Sequence, residues 1–124
     1  MPLVYTPDRR KLGQDAERRA AELLRRAGFT LLARNFRCRA GELDLVAQRA
    51  QVLVIAEVRL RSRADFGGAA ASITPAKRAR IVRAAGYLLR RQPALAALAV
   101  RFDILLLSAS DSPIEWIESA FDAD

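Results

Sequence analysis

Two acidic residues interrupt apolar, strand-like segments of this 124-residue chain. Asp44 lies within the segment GELDLV at 41–46, and Glu57 lies within LVIAEVR at 53–59. A carboxylate beside a hydrophobic core loses hydration, so a charge of opposite sign is expected to meet it. Because the chain has a formal charge of +7 and no histidine, we expect that charge to be a divalent cation held by oxygen ligands. The pattern therefore indicates phosphodiester chemistry.

Carboxylates from different strands can hold Mg²⁺ or Mn²⁺, which activates water and neutralises charge on a phosphoryl group. Alternate residues of a strand share a face, so Arg59 and Arg61 are expected on the face of Glu57, and Glu42 and Val46 on that of Asp44. By spacing alone, the same acids also fit an ordinary salt bridge at the end of a strand.

The composition excludes several kinds of site. A single cysteine, Cys38, rules out an intramolecular disulfide, and the lack of histidine removes the usual zinc ligand sets. Ser-His-Asp and Cys-His catalysis are excluded as well, because both need an imidazole to accept the proton of the nucleophile.

The charge of the chain favours a polyanionic partner. Its pI of about 10.9 suits nucleic acid, although 19 of the 21 basic residues are arginine, which a GC-rich genome would also produce. No stretch approaches the roughly 20 apolar residues that span a bilayer. We therefore expect a cytoplasmic protein without a membrane partner.

Periodicity predicts an α/β chain that forms one domain over residues 1–124. The predicted elements are a helix at 12–27, strands at 29–36, 42–48 and 52–61, a helix from Pro75 to Pro93, a helical turn at 94–99, and strands at 100–107 and 114–117. Residues 49–51 are predicted to form a hairpin turn and residues 62–72 a surface loop. Helices on both faces of the sheet would give a mixed α/β sandwich.

Several segments, in order along nearly the whole chain, carry a family resemblance. They are 13–20 with Glu17, 34–36, 41–47, 57–61, 66–67, Lys77, 87–88, 101–103 and 116–121. In these segments the chain resembles the YraN-like family of small bacterial proteins, a branch of the restriction-endonuclease-like (PD-(D/E)xK) superfamily.

The resemblance implies a three-layer α/β/α sandwich with a central mixed sheet and the core order αβββαβ. It also implies that Glu17, Asp44 and Glu57 are ligands of Mg²⁺ or Mn²⁺, and that Asp44, Glu57 and Arg59 form the catalytic set. The implied activity is hydrolysis of DNA phosphodiesters, with branched DNA among the candidate substrates, and DNA is favoured over RNA.

Arg59 departs from the usual pattern of the family, which has Glu-Val-Lys at 57–59. A guanidinium keeps its protons, so Arg59 can orient a phosphate but cannot accept a proton from water. Lys77, at the start of the second helix, is a candidate for the displaced amine, and a phosphate ligand is the alternative role. Five residues are predicted to contact nucleic acid: Arg61, Lys77, Arg78, Arg80 and Arg83.

Other function classes stay open at this point. A non-catalytic nucleic-acid-binding module could keep the nuclease fold with a degenerate site, and an assembly protein could use the basic face for an acidic protein partner. Edge strands near the C-terminus permit a homodimer. We expect Glu42 to pair with Arg37 or Arg39, and Trp116 and Phe121 to be buried.

Overall fold

A computed structural model of the chain describes residues 9–60, 73–108 and 113–123. Its elements in chain order are α1 (Arg9–Arg26), β1 (Thr30–Cys38), β2 (Gly41–Arg49), β3 (Val52–Leu60), α2 (Pro75–Arg91), a 3-10 helix (Pro93–Ala97), β4 (Ala99–Leu107) and β5 (Glu115–Phe121). The predicted order of helices and strands is confirmed. Several strands are longer than predicted, because the residue types at the end of a strand do not determine where backbone hydrogen bonding to the neighbouring strand stops.

The strands form one five-stranded mixed sheet in the order β1-β2-β3-β4-β5. Neighbouring strands are antiparallel except β3 and β4, which run parallel. A parallel pair needs a long crossover connection, and α2 lies within it. The first turns of α2 are thereby placed beside the end of β3.

The two helices cover opposite faces of the sheet. Ala20 and Leu24 of α1 belong to the same buried cluster as Val54 of β3. On the other face, Ile81 and Leu88 of α2 belong to a separate cluster with Ile55, Ile104 and further strand residues. Because alternate residues of β3 enter different clusters, both faces of this strand are buried, which explains its continuous apolar run.

The β2–β3 hairpin turns at Ala50 and Gln51 without the glycine or asparagine that usually marks such a turn. Ala50 adopts a positive φ of 51° instead. The antiparallel register runs from Arg49 opposite Val52 to Leu45 opposite Ala56. Asp44 and Glu57 are the next residues of β2 and β3 beyond this paired stretch.

The predicted alternation of β2 is wrong at Asp44. Leu43 and Val46 both belong to the cluster on the α2 face, so Glu42, Asp44 and Val46 do not share one face. The pairing of β1 with β2 skips the position between Arg34–Leu45 and Phe36–Leu43, where Asn35 has a φ of 53°. This local distortion of the ladder breaks the period of two and re-aims Asp44.

A buried acid on β4, Asp103, attaches β5 to the sheet. Its carboxylate accepts two hydrogen bonds from Arg101, at 3.0 and 2.9 Å, one from Trp116 Nε1 at 2.8 Å and one from the Ser119 backbone N–H at 3.0 Å. Phe121 is buried and stacks on Phe102, whereas Trp116 is half-buried. Within the described ranges, neither helix is long and apolar enough to cross a membrane.

Candidate functional site

Asp44 and Glu57 meet where β2 diverges from β3. The Val58 backbone N–H donates a hydrogen bond of 2.9 Å to Asp44 Oδ2, so a side chain takes the place of the next ladder carbonyl. Glu57, the residue that precedes Val58 on β3, is only 5% exposed. The hairpin register therefore brings the two acids predicted from the sequence to one point at the end of the sheet.

The cation that meets Glu57 is Lys77. Thr74 caps α2 by accepting a hydrogen bond from the Lys77 backbone N–H, and Pro75 occupies the first turn. This cap holds Lys77 above the sheet, where its Nζ lies 2.7 Å from Glu57 Oε1. An ammonium group therefore pairs with one of the two acids for which the sequence predicts a divalent cation.

Asp44 is the acid with excess negative charge around it. Burial, followed by the negative charge of Glu57, raises the pKa of Asp44 from 3.8 to about 7, while the hydrogen bond from Val58 opposes the change. The side chain therefore exchanges its proton near neutral pH. A site that repels its own negative charge in this way favours an incoming cation.

Glu17 faces the same acids from α1. Burial and the charge of Asp44 raise the pKa of Glu17, and Arg34 and Asn35 of β1 partly offset the increase. Its Oε1 atom is buried without a hydrogen-bond partner, which is unusual for a carboxylate oxygen. An unpaired buried oxygen on a side chain that lines the same cleft as Asp44 suits a cation ligand.

These side chains line an open cleft of about 400 Å³ between the two helices. Its described lining consists of Gly13, Ala16, Glu17, Asp44, Glu57, Val58, Arg59, Leu60 and Lys77. A second cavity of about 180 Å³ also reaches Asp44, Glu57 and Lys77 and adds Arg80 to their surroundings. Acidic and basic groups thus border one solvent-accessible site.

The acids fit a divalent ion only in part. Carboxylate oxygens are the ligands that Mg²⁺ and Mn²⁺ prefer, and the raised pKa values of Asp44 and Glu17 reflect first burial and then neighbouring negative charge that an ion would relieve. Among the described residues, however, no three acids or cysteines already form a metal-binding group. Asp44 and Glu57 are the core of the candidate site, and Glu17 would need to approach them.

The other residues predicted for the site are divided between several places. Arg59 lines the cleft, and Arg80 lines the smaller cavity next to it. Arg78 and Arg83 instead line a different cavity near Phe121, away from the acids. Arg61 and the predicted loop at 62–72 lie outside the described residues.

The sequence analysis did not name Asn35 as part of the site, and it named Lys77 as a candidate amine without pairing it with Glu57. Asn35 lies near Glu17 and has a positive φ. The only sign of this conformation in the sequence is that asparagine tolerates left-handed backbone better than most residues. The Lys77–Glu57 pair had a clearer signal, because Thr74-Pro75 fixes the start of a helix and places Lys77 in its first turn. Glu42 forms an ion pair with Arg37, with an N···O distance of 3.6 Å, as expected from the sequence.

Comparison with known proteins places the chain within a bacterial family. The model of the uncharacterised protein family UPF0102 matches residues 16–107, which include all three candidate acids and Lys77. The chain belongs to UPF0102. The resemblance to YraN-like proteins is thereby confirmed.

Relatives within UPF0102 align over most of their length. A UPF0102 protein of Methylobacillus flagellatus is 47% identical over 115 residues, covering 92% of this chain and 99% of the relative. Another, from Dechloromonas aromatica, is 49% identical over 112 residues, covering 90% and 89% respectively. One from Nitrosomonas eutropha is 47% identical over 110 residues, covering 89% and 92%. These alignments therefore cover about nine-tenths of this chain.

Proposed function

We propose that the chain is a single restriction-endonuclease-like domain that hydrolyses DNA phosphodiesters with Mg²⁺ or Mn²⁺, acts in the cytoplasm, and accepts branched DNA among its substrates. The observation that carries the proposal is the convergence of Asp44, Glu57 and Lys77 in one open cleft. Carboxylates that hold a cation, beside an amine that reaches the same point, form the group set needed to attack a phosphate.

Each side chain has a distinct task in this proposal. Asp44 and Glu57 would hold the ion, with Glu17 approaching across the cleft, and the bound ion would supply a more acidic water and neutralise phosphoryl charge. Arg59 lines the cleft as a permanent cation and would bind phosphate oxygens through paired hydrogen bonds.

Lys77 would replace the amine that the family pattern places at position 59. Its Nζ contacts Glu57 Oε1, so it reaches the same acid that a lysine two residues along β3 would reach. An ammonium in this position can hold the attacking water or a phosphate oxygen in line. In this proposal the amine therefore comes from Lys77 on α2 rather than from position 59 on β3, and Arg59 orients the phosphate.

One observation favours a second function, a nucleic-acid-binding module without catalysis. The Lys77 ammonium already neutralises Glu57, which is otherwise buried, so the site is balanced in part without any metal. Such a module would bind DNA in a salt-sensitive but metal-independent way.

Nicking of supercoiled plasmid and cutting of branched oligonucleotides, each with Mg²⁺ or Mn²⁺, separates the two functions. We expect cleavage by the natural chain, none by the double variant Asp44→Ala Glu57→Ala, and a loss of about 100-fold or more for Lys77→Met, a general acid–base-sized effect. Arg90→Met is the matched control, because Arg90 is an exposed arginine of the same helix that lines neither the cleft nor the smaller cavity.

Cleavage that survives the double substitution would exclude this site. If the natural chain binds DNA but does not cleave it, Arg59→Lys tests the degenerate-site alternative. A gain of cleavage in that variant would identify an attenuated nuclease, whereas continued inactivity would favour the binding module.

A further inference from the structure

A second polar groove lies beside the cleft, on the face of the sheet covered by α1. It occupies about 750 Å³ between one side of α1 and the residues that precede β5. Its described lining consists of Arg18, Arg19, Glu22, Leu23, Arg26, Pro113 and Ile114. The groove therefore has a wall of arginine side chains and a floor that is partly apolar.

The arginine wall keeps a net positive charge after its local contacts are counted. Glu22 is shared between Arg25 and Arg26, with N···O distances of 3.9 and 4.0 Å, too long for strong hydrogen bonds. Arg18 pairs with the exposed Asp15, and Arg19 donates only a long 3.5 Å hydrogen bond to the Ser108 carbonyl. The described lining of the groove therefore contains three guanidinium groups, from Arg18, Arg19 and Arg26, and one carboxylate, from Glu22.

The groove begins next to the acidic cleft. Glu17 lines the cleft, and Arg18, the next residue of α1, lines the groove. From Arg18 to Arg26 the helix advances about 12 Å, which is close to the axial length of three or four nucleotides of one strand. A chain of phosphates that leaves the cleft along α1 would meet the arginines in succession.

We propose that this groove binds the sugar–phosphate backbone of the nucleic-acid strand that extends from the cleft. The inference rests on the proposed function, because a phosphodiester in the cleft defines where the strand begins. Arginine forks match phosphate oxygens in a paired geometry, and the apolar floor at Leu23 and Ile114 accommodates sugar carbons. Repeated anions at regular spacing suit this wall better than the scattered carboxylates of an acidic protein.

The test is fluorescence anisotropy of a labelled DNA oligonucleotide, with EDTA present so that binding is measured without cleavage. The groove variant is Arg18→Gln Arg26→Gln in the full chain, which changes two exposed side chains. The matched control is Arg90→Gln Arg91→Gln, which removes the same charge from exposed arginines of α2 that line neither the groove nor the cleft.

We expect the groove variant to bind DNA roughly tenfold more weakly and to reduce the salt slope of log K by about 2, one unit for each lost phosphate contact. The control should change affinity by less than about twofold, because it removes only distant charge. Equal losses in both variants would overturn the groove assignment, as would DNA binding by the groove variant at the natural affinity.

A competition arm tests the protein alternative. Displacement of labelled DNA from the natural chain by poly-glutamate at a lower concentration of charges than by an unlabelled oligonucleotide would identify an acidic protein site and overturn the proposal. Cleavage of plasmid by the natural chain is measured separately with Mg²⁺. If the natural chain cleaves plasmid but the groove variant and the control lose equal affinity, the nuclease function stands and the groove assignment is wrong. If only the groove variant loses affinity and the natural chain does not cleave, the groove assignment stands and the nuclease function is wrong.

Discussion

At the residue scale, the cleft assigns different electrostatic roles to two neighbouring acids. Glu57 is buried but has an ammonium group at 2.7 Å, whereas Asp44 receives a backbone hydrogen bond and lies beside the negative charge of Glu57. Burial, followed by the negative charge of Glu57, raises the pKa of Asp44 to about 7, so its charge changes near neutral pH.

This raised pKa predicts that stability falls as pH rises through the range between the usual value of 3.8 and about 7. Within that range the folded chain binds a proton more tightly than the unfolded chain, so the free energy of unfolding decreases with pH. Asp44→Asn keeps a carbonyl that can accept the Val58 hydrogen bond but cannot ionise. Urea unfolding at about pH 5 and about pH 8 should show a smaller pH-dependent loss in the variant.

Glu42→Gln is the control for this measurement, because Glu42 is an exposed acid of the same strand that pairs with Arg37. It should retain the pH dependence of the natural chain. If Asp44→Asn also retains it in full, the proton near neutral pH does not belong to Asp44. Glu17, whose pKa is also raised, would be the next acid to replace.

At the scale of elements, β5 is held by a buried polar network as well as by apolar packing. Asp103 is fully buried, and two of its four hydrogen bonds connect β4 to Trp116 and Ser119 of β5. A buried carboxylate with several donors is stable only while all of them remain in place. The edge of the sheet opposite β1 thus depends on one side chain.

Asp103→Ala should lower the free energy of unfolding by roughly 3–5 kcal/mol, because it leaves the Arg101 guanidinium and the Trp116 and Ser119 N–H groups without their acceptor. Glu118→Ala is the control, since Glu118 is exposed and lies 3.7 Å from Arg101. It should cost about 0.5 kcal/mol or less. Chemical denaturation measures both, and equal effects would show that Asp103 does not anchor β5.

Most elements were predictable because their signals are local. Thr74-Pro75 gave the start of α2, Gly28 followed the end of α1, and the apolar run of β3 indicated a strand covered on both faces. The β2–β3 hairpin was predictable from the short connection alone, although Ala50 lacks the usual turn chemistry. Local rules therefore identified which segments form helices and strands.

The parts of the site that escaped prediction depend on distant contacts. The alternation of β2 fails at Asp44 because the ladder is distorted opposite Asn35, a residue of another strand. Lys77 meets Glu57 only because the β3–α2–β4 crossover returns the helix over the sheet. Neither the distortion nor the crossover geometry is encoded within a short window of sequence.

At the scale of the whole molecule, charge separates the helices from the last strand. The formal charge is +13 over residues 1–102, with 21 basic and eight acidic residues, and −6 over the remainder. Arginines are frequent on α1 and α2, whereas the exposed Glu115 and Glu118 lie on β5. A polyanion would therefore be steered toward the helices and away from the β5 edge.

The claim at the centre of this account is that Asp44 and Glu57 share a divalent cation at the origin of that basic surface. Anomalous diffraction from crystals of the full chain soaked in Mn²⁺ tests it most directly. We predict a peak within coordination distance of both carboxylates, with Glu17 turned toward it. Saturating Mn²⁺ that gives no peak in the cleft, or a peak that touches neither Asp44 nor Glu57, would contradict the account.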